Sequence, residues 1–182
     1  MDEQFNLKNI EIIIGLGNSG NEYLNTRHNT GFEFLDYIAN GTRFVKEDKL
    51  KSFMADVNLN GQRLRLLKPT TMMNYSGEAF VLALNYFKVA PEKVLVAFDD
   101  LDLPLGEFKL QFARGPKVHN GLLSLENRSK IKEFWRLRIG VDSRDEVTKT
   151  TVSGSDYVLS KFKIKERDLL QETFFKVVEQ IV

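Results

Sequence analysis

The sequence predicts an α/β fold: a single domain with a mixed, mostly parallel twisted sheet flanked by helices. Segments typical of strands, either continuously apolar or alternating, are interleaved with segments of helical period. No repeat, low-complexity tract or linker rich in Pro and Gly divides the 182 residues. Because 42% of them are hydrophobic, the chain can bury one full core, and residues 1–182 are predicted to form one domain.

The first elements follow from apolar periodicity. The β-branched run at residues 10–14 predicts a buried strand. Residues 31–41 place their large apolar side chains on one face of a helix and end in a glycine. Residues 53–69 alternate on both sides of Asn60–Gly61, a dipeptide that favours tight hairpin turns, and therefore predict a β-hairpin.

The second half of the chain continues this alternation. Residues 76–87 have helical period, and Ser76 is the predicted N-cap of that helix. Residues 93–98 are an apolar strand, and the acidic stretch that follows it is predicted to be a loop. The remaining predicted elements are a strand at 106–112, a helix at 120–131, a strand at 134–141 and an amphipathic helix at 164–182.

Composition excludes several classes of protein. The absence of cysteine excludes disulfides, thiol catalysis and Cys-based zinc sites, and the presence of only two histidines argues against a His-rich metal site. The polar stretch at residues 1–9 has no secretory signal pattern, and no apolar run approaches the ~18 residues of a membrane-spanning helix. The protein is therefore expected to be cytoplasmic, without contact with membranes.

The charge is nearly balanced overall but unevenly distributed. The net charge is +1, yet residues 106–167 contain 14 Lys and Arg against 8 Asp and Glu. A solvated surface of mixed charge would explain this asymmetry. A basic face that binds a polyanion would explain it equally well.

A glycine pattern near the N-terminus matches the dinucleotide-binding motif in letters only. Gly15, Gly17 and Gly20 form G-x-G-x-x-G after the first strand. In a dinucleotide site a helix starts at the third glycine, whereas the residues after Gly20 are polar and helical period returns only near Phe32. No clear ribose-binding acid follows either, since the nearest candidate is Asp36. A long polar loop at the carboxyl edge of the sheet is the better interpretation.

Polar side chains recur directly after apolar runs or beside glycines. They are Asn18, His28, Asn74, Asp99 and Asn120. One imidazole, one carboxylate and several amides could form a general-base site with donors for a carbonyl. Each residue alone also has an ordinary explanation, because an Asn beside Gly is usually a turn residue and a lone His is often structural.

Five motifs together carry a resemblance to a known family. They are "GLGNSGNEYLNTRHNTGF", "KPTTMMNYSG", "FDDLDLPLG", "VHNGL" and "RLRIG", in this order. With them the sequence resembles bacterial peptidyl-tRNA hydrolases over nearly its whole length. The resemblance implies the fold of that family and the hydrolysis of the ester between a peptide and the 3′ ribose of tRNA. It implies peptidyl-tRNA as partner, no cofactor or metal, and a monomer.

The resemblance also implies roles for individual residues. His28 would be the general base that activates water, and Asp99 the carboxylate that orients it. The remaining implied substrate contacts are Asn18, Tyr23, Met72, Met73, Asn74, His119 and Asn120. The tyrosine and the methionines have core packing as their ordinary alternative. The implied contacts to tRNA phosphates are Lys109, Arg114, Lys117 and Arg138, and strand alternation predicts that Arg138 is exposed.

Two alternatives stay open beside this resemblance. Lys117 and Val118 stand where glycines are usual in the family, and this altered loop leaves a catalytically reduced RNA-binding relative as one alternative. Gln111 stands where a lysine is usual, so one phosphate contact is expected to be lost and tRNA binding to be weaker. A left-handed conformation would strain Val118, so residues 113–120 are expected to follow another path. A Mg²⁺ site at Asp99, Asp100 and Asp102 is the other alternative, because hard cations prefer carboxylate oxygens.

Overall fold

The structure, a computed structural model, describes residues 4–182; the first three residues of the polar N-terminal stretch lie outside this range. The strands are β1 Ile12–Gly15, β2 Val45–Glu47, β3 Ser52–Leu59, β4 Gln62–Pro69, β5 Val94–Pro104, β6 Phe108–Phe112 and β7 Trp135–Asp142. The α-helices are α1 Thr30–Ala39, α2 Ser76–Phe87, α3 Asn120–Ser129, α4 Glu146–Thr151, α5 Gly154–Leu159 and α6 Ile164–Ile181. Short 3₁₀ helices cover Leu7–Asn9, Asn21–Tyr23, Arg27–Asn29, Asp48–Leu50, Met73–Tyr75 and Pro91–Lys93.

The seven strands form one mixed sheet in the order β2-β3-β4-β1-β5-β7-β6. The four central strands β4, β1, β5 and β7 are parallel to one another, which brings their carboxyl ends to the same edge. The outer pairings β2–β3, β3–β4 and β6–β7 are antiparallel. The predicted mixed α/β sheet with its hairpin at residues 53–69 is therefore confirmed.

Helices cover both faces of the sheet, so its central strands are buried on both sides. In β1, Ile13 belongs to one apolar cluster, whereas Ile12 and Ile14 belong to the other. Phe34 and Phe174 meet on the first face with their ring centroids 5.5 Å apart. Each such fully buried apolar side chain contributes roughly 1.5–3 kcal/mol to the free energy of folding. These two clusters hold the central strands in place, and the carboxyl ends of those strands form the edge at which the site lies.

Close backbone packing positions the turn between β1 and α1. A Cβ atom on Gly31 would lie 2.3 Å from the carbonyl oxygen of Ala97 and 2.5 Å from the backbone nitrogen of Leu16. Only glycine therefore lets α1 begin directly against β1 and β5. The segment after Gly20 begins with the 3₁₀ helix Asn21–Tyr23, and α1 begins only at Thr30, so no α-helix starts at the third glycine, where a dinucleotide site would need one.

Two local predictions were wrong, and three short elements were missed. Ser76 is the first residue of α2, not its N-cap; Tyr75 takes the N-cap position without a side-chain hydrogen bond. β5 continues through Pro104, because Asp99 and Asp100 remain paired with β7 up to a register shift, so these acids are not in a loop. β2, α4 and α5 were not predicted, since each is too short to show a period.

Within residues 4–182, none of the helices combines the length and the apolar character that a membrane crossing requires.

Candidate active site

A cleft of about 450 Å³ opens at the carboxyl edge of the parallel strands. This is the edge at which α/β sheets usually place their sites, because the loops that follow several strands meet there. The residues predicted for catalysis and for binding the peptide end of the substrate all line this cleft. They are Asn18, Tyr23, His28, Met72, Met73, Asn74, Asp99, His119 and Asn120.

At the base of the cleft, His28 and Asp99 form a hydrogen-bonded pair. Nδ1 of His28 lies 2.9 Å from Oδ1 and 3.1 Å from Oδ2 of Asp99. The imidazole belongs to the 3₁₀ turn Arg27–Asn29, and the carboxylate projects from β5, where it is 1% exposed. An ionised carboxylate only accepts hydrogen bonds, so Nδ1 carries the ring proton and donates a hydrogen bond to Asp99. Nε2 of His28 is left with its lone pair and has no hydrogen-bond partner among residues 4–182.

Asp99 also accepts a second hydrogen bond, from Nε2 of His119 at 3.0 Å. The other ring nitrogen of His119, Nδ1, accepts from the backbone N–H of Leu122 at 3.2 Å, because His119 is the N-cap of α3. Both ring nitrogens of His119 are thus occupied within the protein. His119 lines the cleft as predicted, but it has no nitrogen free to hydrogen-bond a substrate.

The charges of the pair shift both pKa values. Burial by itself would raise the pKa of Asp99, but the neighbouring imidazoles and their hydrogen bonds hold it well below its usual range. Burial by itself would lower the pKa of His28, yet the charge of Asp99 and its hydrogen bond raise that pKa above the ordinary value of 6.5. At neutral pH, Asp99 is therefore an anion that stabilises the protonated form of His28.

Hydrogen bonds of two amide side chains, Asn18 and Asn29, hold another part of the cleft wall in place. The backbone N–H of Asn18 donates to Oδ1 of Asn29 at 2.8 Å, and Nδ2 of Asn29 donates back to the carbonyl of Asn18 at 3.0 Å. Oδ1 of Asn18 accepts from the backbone N–H of Met73 at 2.8 Å. Nδ2 of Asn18, which has no partner in the described chain, is the donor left for a ligand. The sequence reasoning missed the role of Asn29, although it directly follows His28 in the motif.

The remaining wall of the cleft comes from residues that were not predicted to bind substrate. They are Leu101, Val118, Gly154, Ser155, Val158 and Leu159. Four of these belong to α5, a six-residue helix too short for its period to be read from the sequence. The cleft therefore joins a polar side that carries the imidazole to a largely apolar side.

Arg27, the residue before His28, attaches the turn that carries His28 to this apolar side. Its side chain is 3% exposed, and its Nη1 donates to the carbonyl of Lys161 and to Oγ of Ser160, both at 2.8 Å. Nη2 donates to Glu166 at 2.7 Å. The guanidinium also lies 4.2 Å from the ring centroid of Tyr157 in α5. These contacts fix the turn that carries His28 relative to α5 and α6.

The basic residues predicted to contact phosphate fall into two groups. Lys109, Arg114 and Lys117 are exposed. Arg138 was predicted to be exposed and is not: its side chain is 11% exposed, with Nε donating to Asp100 at 2.6 Å and Nη1 to Gln111 at 2.8 Å. The strand alternation itself is as predicted, since the neighbours of Arg138 on β7 are buried on the other face. Asp100 and Gln111 hold the guanidinium against the sheet.

The loop before His119 avoids strain at the two positions where glycine is usual. Neither Lys117 nor Val118 has a positive φ; the left-handed positions are Ala113 and Gly115. The loop is tied to the sheet by Arg136, which donates to the carbonyl of Gly115 at 2.6 Å, and by the backbone N–H of Lys117, which donates to Asp102 at 3.0 Å. Val118 is therefore accommodated at the cleft without a strained backbone.

The three acids of the β5 segment do not converge on one point. Asp99 binds the two imidazoles, Asp100 binds Arg138, and Asp102 accepts from Lys117. In the described part of the chain, His28, Asp99 and His119 do bring three possible ligand atoms within 4.8 Å of one another. A metal would need a lone pair on Nε2 of His119, however, and Nδ1 already uses its lone pair for the N–H of Leu122. The site is built as a hydrogen-bonded triad of side chains.

Comparisons with known proteins identify the family of this chain. The family model for peptidyl-tRNA hydrolase matches residues 12–182. A crystal structure of peptidyl-tRNA hydrolase from Acinetobacter baumannii is 34% identical, with a TM-score of 0.85 over 98% of this chain and 89% of that one. A peptidyl-tRNA hydrolase in complex with N-propanol is 32% identical, with the same coverage and a TM-score of 0.83.

The family match covers nearly the whole chain, and the TM-score of 0.85 shows that the crystal structure from Acinetobacter baumannii shares its fold. The resemblance seen in the five sequence motifs is thereby confirmed, as is the assignment to an enzyme class. The chain belongs to the peptidyl-tRNA hydrolase family, and its activity is the hydrolysis of peptidyl-tRNA.

Proposed function

We propose that His28 is the general base of this reaction and that Asp99 orients and stabilises it. The observation that carries the proposal is the pairing of Nδ1 with Asp99, which leaves the lone pair of Nε2 free in the cleft. A positioned base of this kind contributes roughly 10²–10⁴-fold to the rate. Asp99 fixes the tautomer of the His28 ring, and its negative charge stabilises the imidazolium that forms during the reaction.

The reaction then balances with water as the nucleophile. The oxygen of water attacks the ester carbonyl while Nε2 of His28 takes one of its protons. The tetrahedral intermediate collapses with cleavage of the bond to the 3′ oxygen of the ribose, and the imidazolium returns its proton to that oxygen. The products are a peptide carboxylic acid, which ionises, and tRNA with a free 3′ hydroxyl. No covalent intermediate on the protein is required.

The amide side chains bind the peptide in this proposal. Asn18, Asn74 and Asn120 line the cleft and can donate to a carbonyl or accept from a peptide N–H without introducing charge. A free α-ammonium would lose hydration in such a neutral site, which is costly. The enzyme should therefore prefer tRNA whose amino acid is acylated. Tyr23, Met72 and Met73 supply contact surface for the same end of the substrate.

The exposed residues Lys109, Arg114 and Lys117 bind tRNA phosphates in this proposal. They lie on β6 and on the loop that leads to His119, so the tRNA would approach the cleft along one edge of the sheet. Arg138 takes part only if phosphate displaces Asp100 or Gln111, which gives it a secondary role. The protein acts as a single-domain monomer in the cytoplasm, where peptidyl-tRNA arises.

The second candidate, an RNA-binding relative with reduced catalysis, has less support. Its main argument is the departure at Lys117 and Val118, and both residues are accommodated without left-handed strain. A binding protein has no use for a buried carboxylate that orients an imidazole.

One assay tests the proposal. The purified protein is incubated with N-acetylated aminoacyl-tRNA, release of the acyl group is followed, and His28→Ala is compared with the parent. We expect turnover by the parent and a loss of at least about 10²-fold in the variant. His28→Ala with the activity of the parent would mean that the base is misassigned.

A further inference from the structure

The carboxylate of Asp99 is shared between two imidazoles that reach it from different parts of the fold. Oδ1 accepts from Nδ1 of His28 at 2.9 Å and from Nε2 of His119 at 3.0 Å. His28 comes from the turn after β1, whereas His119 comes from the start of α3. The general-base assignment uses only the first of these hydrogen bonds and gives the second no role.

His119 cannot rotate away from this contact without losing others. Its Nδ1 accepts the N–H of Leu122 and so caps α3. Its ring centroid lies 4.9 Å from that of Phe98, and a Cβ atom on Gly121 would lie 3.1 Å from its Cε1. With Nδ1 acting as acceptor, the proton of the neutral ring is on Nε2, which points at Asp99. The helix cap therefore determines which nitrogen faces the carboxylate.

We propose that His119 is a positioning residue for the reaction: its Nε2–H fixes the orientation of the Asp99 carboxylate and limits how strongly that carboxylate binds the His28 imidazolium. The proposal rests on the proposed role of His28 as general base. It replaces the direct contact between His119 and substrate that the family resemblance implies.

A carboxylate that accepts a second hydrogen bond is a weaker acceptor for the first. Loss of the His119 bond should therefore raise the pKa of His28 and reduce the neutral, catalytically competent fraction near pH 7. Other charges facing His28 are few. Among the described residues that line the cleft, the titratable ones are Tyr23, His28, Asp99 and His119, and the guanidinium of Arg27 is directed to Glu166.

Two substitutions separate the carboxylate contact from the helix cap. In His119→Asn, the amide oxygen lies as many bonds from Cα as Nδ1 does, so it can cap α3, but the side chain is too short to reach Asp99. In His119→Gln, the amide nitrogen lies as many bonds from Cα as Nε2 does and can donate to Asp99, while the cap is lost. Because the chain has only two histidines, each variant retains His28 as its single histidine.

The decisive measurement is an NMR titration of the His28 ring in the parent and both variants, which requires no activity. We expect the pKa of His28 to rise by about half a unit or more in the Asn variant and to stay near the parental value in the Gln variant. The midpoint of the acid limb of kcat/KM should move in the same way. Tm should fall more in the Gln variant, which lacks the cap.

An unchanged pKa in the Asn variant, or equal shifts in both variants, would overturn the proposal and leave His119 as a helix cap only. Failure of the proposed function is distinguishable from that result. If the His28→Ala enzyme remains active, the general-base assignment fails, whereas the titration still decides whether His119 controls the Asp99–His28 pair.

Discussion

Asp99 and His28 are 71 positions apart in the sequence, yet Oδ1 of one lies 2.9 Å from Nδ1 of the other. The contact depends on the parallel pairing of β1 with β5, in which Gly15 lies opposite Ala97. Asp99 follows that pair by two residues along β5, and the turn after β1 returns to the same edge before α1 begins. The geometry of the pair therefore depends on the sheet, which places Asp99, and on the turn of His28, which Arg27 holds against Tyr157 and Glu166.

The raised pKa of His28 predicts where activity is lost in acid. A general base works only when it is neutral, so kcat/KM should fall as the pH drops through a value above 6.5. In Asp99→Asn the charge is gone and burial remains, so the pKa of His28 should move to lower pH. Both shifts are read from pH profiles of kcat/KM with N-acetylated aminoacyl-tRNA. A parental midpoint below 6.5 would contradict this assignment.

Asp99→Asn should also slow the reaction at its pH optimum. The amide can donate to Nδ1 of His28, which would place the ring proton on Nε2 and remove the free lone pair. By analogy with hydrolytic triads, we expect kcat to fall by about 10³–10⁴-fold. Asp56→Asn on the exposed side of β3 is the matched control and should leave kcat unchanged. Single-turnover kinetics separate this effect from product release.

Metal removal should have no effect on the reaction. Asp100 and Asp102 are occupied by Arg138 and by the N–H of Lys117, and Nδ1 of His119 caps α3. We therefore expect equal kcat/KM in EDTA and in added Mg²⁺. Activity that disappears in EDTA and returns with Mg²⁺ would restore the acidic stretch as a metal site.

The sequence predicts those parts of the site that depend on local residue patterns. Apolar runs and turn residues place Asn18, Asn74 and Asn120 at the ends of strands or the starts of helices, so their convergence at one sheet edge follows from the parallel topology. The family resemblance supplied the pairing of His28 with Asp99, because no local pattern specifies a contact across 71 positions.

What the sequence could not supply depends on tertiary contacts. Strand alternation predicts which face of the sheet Arg138 lies on, but not whether other side chains cover it there. Asp100 and Gln111 both hydrogen-bond its guanidinium and reduce its exposure. The cleft wall at α5 consists of one short helix held by Arg27 from a distant turn. The two hydrogen bonds that occupy His119 combine a helix cap with a strand carboxylate, and neither is visible in sequence spacing.

The exposed lysines near the cleft predict the salt dependence of tRNA binding. Lys109 and Lys117 lie at the β6 edge, whereas Lys46 lies on β2 at the opposite edge of the sheet. Each phosphate contact removed by Lys109→Ala or Lys117→Ala should lower the slope of log K against log salt by about 0.7–0.9. Lys46→Ala should leave the slope unchanged. Binding is measured with deacylated tRNA across a salt series, and equal slopes for all three variants would refute the proposed tRNA path.

The ion pair between Arg27 and Glu166 predicts a stability effect outside the cleft. Arg27 is buried against Tyr157 and lies 2.7 Å from Glu166, so Arg27→Met leaves a partly buried carboxylate without the cation that pairs with it. We expect a loss of about 3–5 kcal/mol in the free energy of unfolding. Arg63→Met removes an exposed partner 3.8 Å from Asp56 and should cost about 1 kcal/mol or less.

The pH dependence of that loss has a defined sign. Burial tends to raise the pKa of Glu166, but its bonds to Ser143, to the N–H of Lys163 and to Arg27 lower it below the usual 4.5. A depressed carboxyl pKa contributes stability above the unfolded value, and this contribution disappears as the pH falls through the folded value. The difference between parent and Arg27→Met should therefore shrink below about pH 4 in urea titrations. A difference that stays constant from pH 7 to acid would show that Arg27 acts through packing on Tyr157 and not through its charge.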